Sequence, residues 1–281
     1  MPSTDFFLTE ANQKIFYRHW KPLSESKATV VFIHGLSEHS GRYEYQAEDL
    51  SKSGFNVYAF DNIGHGLSSG RRGFVNSFQD YLKILDQFVS FALKESGEKA
   101  AFLIGHSLGG LIAASYALQD GASGVKGVVL SSPALALSSG IKPCIFEELL
   151  IKALSIIWPT LELSNRLDPY LLSRDKTVVQ NYIADSLIFR IITPRLFTEI
   201  QHAQNRLFEK ARLFTMPCLM LSGKADKITQ PESLLKFHGL IASKNKAIKL
   251  YECLYHEILN EPEKDSILAD LKQWLLLQNF A

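Results

Sequence analysis

The residues of this chain that could do covalent chemistry are a serine framed by glycines, a late histidine and an acid between them. The serine is Ser107, in Gly105-His106-Ser107-Leu108-Gly109. A hydroxyl is a weak nucleophile until a base takes its proton and a third group orients that base. The setting of Ser107 is what singles it out. The apolar run Ala101–Ile104 stops at Gly105, and a helix-forming run, Leu111–Leu118, follows just beyond. Gly-x-Ser-x-Gly needs this strand–turn–helix context to present its serine on a sharp turn, with the free N–H groups of the helix start aimed at whatever sits on it. The chain contains its own control in Gly66-Leu67-Ser68-Ser69-Gly70, which spells the same pattern. That copy follows a glycine-rich loop and runs into Arg71-Arg72-Gly73 without helical periodicity, so Ser68 reads as a loop serine.

Past Ser107 the histidines are His202, His238 and His256. His202 falls in a long helical stretch and His238 within a helix, and both read as surface residues. His256 follows the strand-like segment Ile248–Glu252, and Asp226 follows the strand-like segment Cys218–Ser222. Both therefore stand at the carboxyl edge of a parallel sheet, where open α/β sheets place their sites. Asp168, Asp175 and Asp185 lie in the helical stretch, and Asp265 and Asp270 in the last helix. The chain order Ser, acid, His makes Ser107 the nucleophile, His256 the general base and then acid, and Asp226 the orienter. His34-Gly35, at the end of another apolar run, has two readings. One is a simple strand-ending turn. The other is the loop that donates the first oxyanion-hole N–H, from Leu36, with Leu108 N–H as the second donor. Asp61 and His65 also look like chemistry, but an acid and a histidine in a glycine-rich turn more commonly hold the loop by local hydrogen bonds.

The elements that would position these residues alternate. Lys14–Trp20 is aromatic and β-branched and reads as an early antiparallel strand. Ala28–Ile33 and Phe55–Phe60 are continuous apolar runs, as expected of parallel strands buried on both faces. Tyr43–Ser53 reads as a short helix. Ser77-Phe78-Gln79-Asp80 has the character of a capping box, and Phe78, Tyr81, Leu82, Leu85, Phe88 and Val89 follow the helical period behind it. After the strand Gly127–Leu130 the alternation stops. From Ala134 to about Arg212 the chain is expected to be continuously helical, and alternation then resumes through a closing helix, Lys264–Gln278. The expected fold is thus α/β, a mostly parallel doubly wound sheet with an inserted helical cap. The core comprises residues 1–133 and 213–281, and the cap residues 134–212. In the cap, Ile145–Trp158 is amphipathic: Phe146, Leu149, Leu150, Ala153, Leu154, Ile157 and Trp158 share one side, with Glu147, Glu148, Lys152 and Ser155 on the other. The apolar side has to meet the core, a bound ligand or a membrane surface.

Composition narrows the class. With 46% apolar and 21% charged residues and a formal net charge of +1, the chain offers no electrostatic reason for a nucleic-acid partner. Cys144, Cys218 and Cys253 are few, odd in number and widely spaced, which argues against a disulfide framework or a zinc site and fits a reducing compartment. Met1–Asp5 lacks the character of a signal peptide, and no apolar run approaches membrane-spanning length. The expectation is a cytoplasmic protein with no cofactor and no metal, whose cap makes at most a weak peripheral membrane contact.

His34-Gly35-Leu36-Ser37-Glu38-His39-Ser40-Gly41-Arg42-Tyr43, Gly64-His65-Gly66-Leu67-Ser68, the Ser107 segment, Ser222-Gly223-Lys224-Ala225-Asp226 and Tyr255-His256-Glu257 together resemble the monoacylglycerol lipase and lysophospholipase branch of the α/β-hydrolases. The likeness covers nearly the whole chain, including Leu171-Leu172-Ser173-Arg174-Asp175-Lys176 and Tyr182 in the cap. It implies a small lipid ester as substrate, a cap over an acyl-chain tunnel, and a polar end near Glu38, Arg42 and Tyr182 that receives the alcohol half. One departure is that mammalian-type members carry a second histidine where this chain has Leu259. The rival readings are a short-chain carboxylesterase or a carbon–carbon bond hydrolase on the same residues, and a ligand-binding relative with slow or lost catalysis. Dehalogenases and epoxide hydrolases of this fold use an aspartate nucleophile, which Ser107 argues against.

Overall fold

The computed structural model describes residues 1–119, 122 and 124–279, so 120, 121 and 123 of the first core segment and 280–281 of the second lie outside it. An unforeseen strand, β1 (Ser3–Leu8), pairs antiparallel with β2 (Lys14–Trp20). The chain continues through β3 (Ala28–Ile33), α1 (Glu44–Lys52), β4 (Phe55–Phe60), α2 (Phe78–Ser96), β5 (Ala101–His106), α3 (Leu108–Tyr116) and β6 (Val125–Ser131). The cap follows, with α4 (Ile145–Ile157), β7 (Leu163–Ser164), α5 (Lys176–Ala184), β8 (Ile191–Ile192) and α6 (Pro194–Glu209). The core closes with β9 (Cys218–Gly223), α7 (Pro231–Leu240), β10 (Lys246–Tyr251) and α8 (Lys264–Asn279). The main sheet runs β1-β2-β4-β3-β5-β6-β9-β10, antiparallel up to the β2–β4 pair and parallel from β4 to β10.

Parallel strands covered by helices on both faces must be apolar throughout, and β3, β4, β5 and β9 are buried at every position. Alternate residues split between two cores. Val31, Ile33, Leu103 and Val128 pack with Leu85 and Phe88 of α2 and Leu111 and Ile112 of α3. Val30, Phe32, Phe102 and Val129 pack with Ala47 and Leu50 of α1 and Leu271, Trp274 and Leu275 of α8. The start of α2 is fixed by a reciprocal cap: Ser77 Oγ accepts from Gln79 N at 3.2 Å, and Asp80 Oδ2 accepts from Ser77 N at 3.2 Å. Helix and strand placement thus puts the carboxyl ends of β3, β5, β9 and β10 along one edge.

The cap departs from expectation in one way and decides an open alternative in a second. It is not continuously helical, because β7 and β8 form a short antiparallel pair and extended chain links the helices. The second point concerns α4, most of whose apolar side faces away from the body, one of the alternatives left open. Phe146 is 79% exposed, Ile156 and Ile157 each 80%, whereas Ser155 is 2% exposed, and Leu150 and Leu154 of that side line the cavity. Periodicity locates a stripe on a helix but not the side that is covered. Here the inner side roofs the cavity below with both polar and apolar residues, among them Glu148, Ile151 and Leu154. Glu148, on that side, pairs with Lys152 at 3.0 Å and hydrogen-bonds Gln201 of α6.

Candidate active site

The turn after β5 brings the site together. Ser107 adopts φ 51° and ψ −116°, a left-handed backbone that an L-residue holds only under constraint, at a cost of about 1–3 kcal/mol. The constraints are Ser107 N donating to Ser131 O of β6 at 3.0 Å, and Ser107 O accepting from Leu111 N at 3.1 Å and Ala134 N at 2.9 Å. The flanking glycines are required sterically. A Cβ at Gly105 would run into the Gly109 carbonyl, and one at Gly109 into the Ile33 carbonyl. The second Gly-x-Ser-x-Gly serine, Ser68, is buried in its loop, where its Oγ donates to Asp61 O at 2.6 Å and accepts from Phe16 N at 2.9 Å. Asp61 accepts from Ser40 N and Leu67 N, each at 2.8 Å, and is likewise a loop anchor.

His256, in the loop after β10, lies with Nδ1 2.8 Å from Asp226 Oδ2. Asp226 is fixed in turn by Ile228 N at 2.8 Å, Thr229 N at 3.0 Å and Thr229 Oγ1 at 2.7 Å. Burial opposes the charged form of both groups, yet their mutual attraction prevails: Asp226 is held below the usual aspartate range and His256 is raised above the usual histidine range. Ser107, His256, Gly35, Leu36 and Leu108 line one cavity of about 720 Å³, within the size range of small-molecule sites. Among the described residues, neither Leu36 N–H nor Leu108 N–H donates to a protein acceptor. His202 reaches the outer part of the same cavity but is exposed, and His238 lies outside it.

The polar residues expected at the alcohol end are mostly spoken for. Glu38 is buried on the cavity wall, and its Oε1 accepts from Gly35 N at 2.5 Å and Tyr43 OH at 2.8 Å. Tyr182 lines the wall too, but its hydroxyl donates to Ser37 O at 3.0 Å. Arg42 does not line the cavity. Its guanidinium lies behind the wall, on Glu38 Oε2 at 3.1 Å and, two-pronged, on Glu257 at 2.5 and 2.7 Å, stacked 4.8 Å from the Tyr182 ring centroid.

Two lining residues were missed. Burial raises the Glu257 carboxyl, but Arg42 overrides it and keeps the group ionised. His106 packs its ring 4.8 Å from that of His256, and burial, helped by His256, pushes it down to about 4, so it is neutral. Their adjacency to His256 and Ser107 in sequence was the only signal, because neither falls in a pattern that names a role.

A family model described as "Serine aminopeptidase, S33" matches residues 24–263. An abhydrolase domain-containing protein of Dictyostelium discoideum is 33% identical over 97% of this chain, which spans only 29% of that protein. Human monoglyceride lipase is 35% identical, with 94% of this chain and 87% of that protein covered. The phospholipase YtpA of Bacillus subtilis is 32% identical, with 85% and 92% covered. Among solved structures, a monoacylglycerol lipase of Paleococcus ferrophilus is 38% identical at a TM-score of 0.86, covering 94% of this chain and 99% of that one.

Proposed function

The chain belongs to the serine aminopeptidase, S33 family and has the α/β-hydrolase fold, and from that premise we propose that it is a serine esterase cleaving monoacylglycerols. The observation that carries the reading is the His256–Asp226 pair, whose histidine shares one cavity with a serine held on a left-handed turn. In the proposed reaction Ser107 Oγ bonds to the ester carbonyl carbon while its proton passes to His256 Nε2. The carbonyl oxygen becomes an oxyanion that Leu36 N–H and Leu108 N–H stabilise in a site sheltered from water. Collapse breaks the ester C–O bond, and the His256 proton goes to the departing alcohol oxygen. Water then attacks the acyl-enzyme, giving its proton to His256, and a second collapse frees the fatty acid and restores Ser107. Asp226 holds the imidazole with Nδ1 protonated and stabilises the transient imidazolium.

Ester rather than peptide cleavage is supported by the charges beside Ser107. An aminopeptidase needs an uncommitted carboxylate for the substrate ammonium, but Glu38 is used by Gly35 N, Tyr43 and Arg42, and Glu257 by Arg42 and Asn260. Glu38 and Tyr182 line the polar end of the wall, with Arg42 acting through Glu38 rather than on the alcohol. The cap's outward apolar face, Phe146, Leu149, Ile156, Ile157 and Trp158, would rest on the lipid phase that delivers the substrate, as a peripheral contact. No helix among the described residues is long and apolar enough to cross a membrane.

The test is a hydrolysis panel of an oleoyl monoacylglycerol, an oleoyl lysophosphatidylcholine, a short-chain nitrophenyl ester and an aminoacyl nitroanilide, with fluorophosphonate labelling of Ser107. The expected result is fastest turnover of the monoacylglycerol and no turnover of the anilide. Preference for the lysolipid would move the head group, and absence of labelling would sink the serine-esterase reading.

A further inference from the structure

The loop that carries Leu36 is pinned from two sides. From the core, Glu38 accepts the Gly35 N–H at 2.5 Å, one residue before Leu36. From the cap, Asn165 Nδ2 donates to Ser37 Oγ at 2.8 Å and Tyr182 OH donates to Ser37 O at 3.0 Å, one residue after it. Two residues further on, His39 Nε2 meets Asp185 Oδ2 of the cap at 2.7 Å.

Ser37 is an unusual place for these bonds to converge. It is fully buried and has φ 58°, the left-handed region that a serine occupies only when its surroundings impose it. The donor facing it is itself fixed. Asn165 is 9% exposed, its Oδ1 accepts from Leu167 N at 3.0 Å and its own N donates to Arg190 O at 3.2 Å. With Oδ1 taken, only the amide nitrogen is left to meet Ser37, which settles the side-chain orientation from its partners. Leu36 N–H lies in the Gly35–Leu36 peptide unit, and Glu38 holds the unit before it through Gly35 N. The cap holds the next residue, Ser37, by its side chain and by the carbonyl two units on, which fixes the path of the chain leaving Leu36.

We propose that Asn165 and Tyr182 are positioning residues that aim the Leu36 N–H of the oxyanion hole by clamping Ser37, so that the hole is complete only with the cap seated. The inference deepens the serine-esterase reading and rests on it. It also gives the Tyr182 hydroxyl a role toward the loop, where a substrate-binding role would show in KM.

The test uses the full chain and the variants Ser37→Ala, Asn165→Ala and Tyr182→Phe, each checked by its thermal melt. Losing one oxyanion donor outright costs about 10² to 10³ in turnover, and a misaimed donor should cost part of that. Ser37→Ala and Asn165→Ala are each expected to lower kcat roughly tenfold with KM little changed, and Tyr182→Phe less. The double variant Ser37→Ala/Asn165→Ala should be no worse than either single change, because both break the same bond. The distinguishing readout is a long-chain trifluoromethyl ketone. Ser107 Oγ adds to its carbonyl carbon, the proton goes to His256, and the oxygen becomes an oxyanion in the hole. Its affinity should fall in step with kcat, while affinity for the fatty-acid product stays level. If Asn165→Ala does not fold, Ser37→Ala and Tyr182→Phe give the same comparison. Unchanged ketone affinity in the folded variants, or an equal loss of fatty-acid affinity, overturns the clamp and leaves the esterase reading standing. A wild-type protein that binds no ketone and takes no fluorophosphonate overturns both.

Discussion

The carboxyl edge of the sheet and the outer cap are built from the same residue types under opposite rules. At the sheet edge, every charged group near Ser107 is buried and committed: Asp226 to His256 and Thr229, Glu38 and Glu257 to Arg42. On the cap, Arg166–Glu147, and between core and cap Arg71–Glu162, are half exposed, and much of the apolar side of α4 is exposed too. A buried ion pair enforces one geometry because breaking it strands a charge, whereas an exposed pair is screened and worth little. The sheet edge is therefore where the molecule fixes atoms, and the outer cap is where it tolerates a changing environment.

The largest effect should come from the sheet edge. Ser107→Ala is expected to lower turnover by at least about a thousandfold with the fold retained, and His256→Ala by nearly as much. Ser68→Ala should leave turnover alone and lower stability by about 1 kcal/mol, since two buried hydrogen bonds are lost. Turnover and melts on the three variants check this, and a dead Ser68→Ala with an active Ser107→Ala would move the nucleophile.

Asp226→Asn comes next, with a loss on the order of 10² to 10⁴. It carries a pH signature. Burial pushes the His256 pKa down, but Asp226 raises it above 6.5 overall, and the base must be neutral to act. Activity in the unmodified protein should thus fall as pH drops through a value above 6.5. In Asp226→Asn the main opposition to burial is gone and only the more weakly acting Glu257 and Glu38 still raise the pKa, so that limb should move to lower pH. For stability the sign is the reverse. The pair's contribution on the histidine side is complete below about 6.5 and is lost as pH rises through the raised value. An unmoved acid limb in kcat/KM would mean that Asp226 does not set His256.

Arg42→Met measures the contrast in stability. It strands Glu38 and Glu257 in the interior, and removing one partner of a buried pair typically costs about 3–5 kcal/mol. Arg166→Met, on the exposed cap pair, should leave the melt essentially unmoved. Similar melts for both would erase the distinction between the two regions.

What could be read in advance follows the same divide. Strands β3, β4 and β5, the Ser77 cap and the order of Ser107, Asp226 and His256 at strand ends were legible, because burial on both faces and a steric need for glycine leave the sequence little freedom. Strand β1 was not, since Ser3–Leu8 is an exposed edge strand that is ordered by pairing with β2 and carries little pattern of its own. Nor were the commitments of Arg42 and Tyr182. Each has a side chain that can serve a ligand or a neighbour, and only the folded distance to Glu257 or Ser37 decides. In α4, amphipathy was visible and its direction was not, because a hydrophobic stripe looks the same whether it faces a core or a lipid.

That direction yields the smallest and most selective expected effect. The helical period places Ile151 and Ile156 both at the boundary of the polar face of α4. The structure separates them: Ile151 lines the cavity, while Ile156 is 80% exposed on the outer side. Ile151→Glu puts a charge into the substrate space and should reduce turnover of soluble short-chain and aggregated long-chain esters alike. Ile156→Glu should leave soluble esters untouched, because the side chain is exposed on the outer side, away from the cavity. A helix on an interface gains from its apolar area, and Glu147 and Glu148 give no electrostatic help toward anionic lipid, so the contact is hydrophobic and shallow. The expected loss is therefore only a few-fold, seen with long-chain monoacylglycerol presented in vesicles or micelles and accompanied by weaker co-sedimentation with neutral phosphatidylcholine vesicles. Equal losses on soluble and aggregated substrate for Ile156→Glu would mean a folding defect. No loss on either would leave the outward face of α4 without a role in lipid contact.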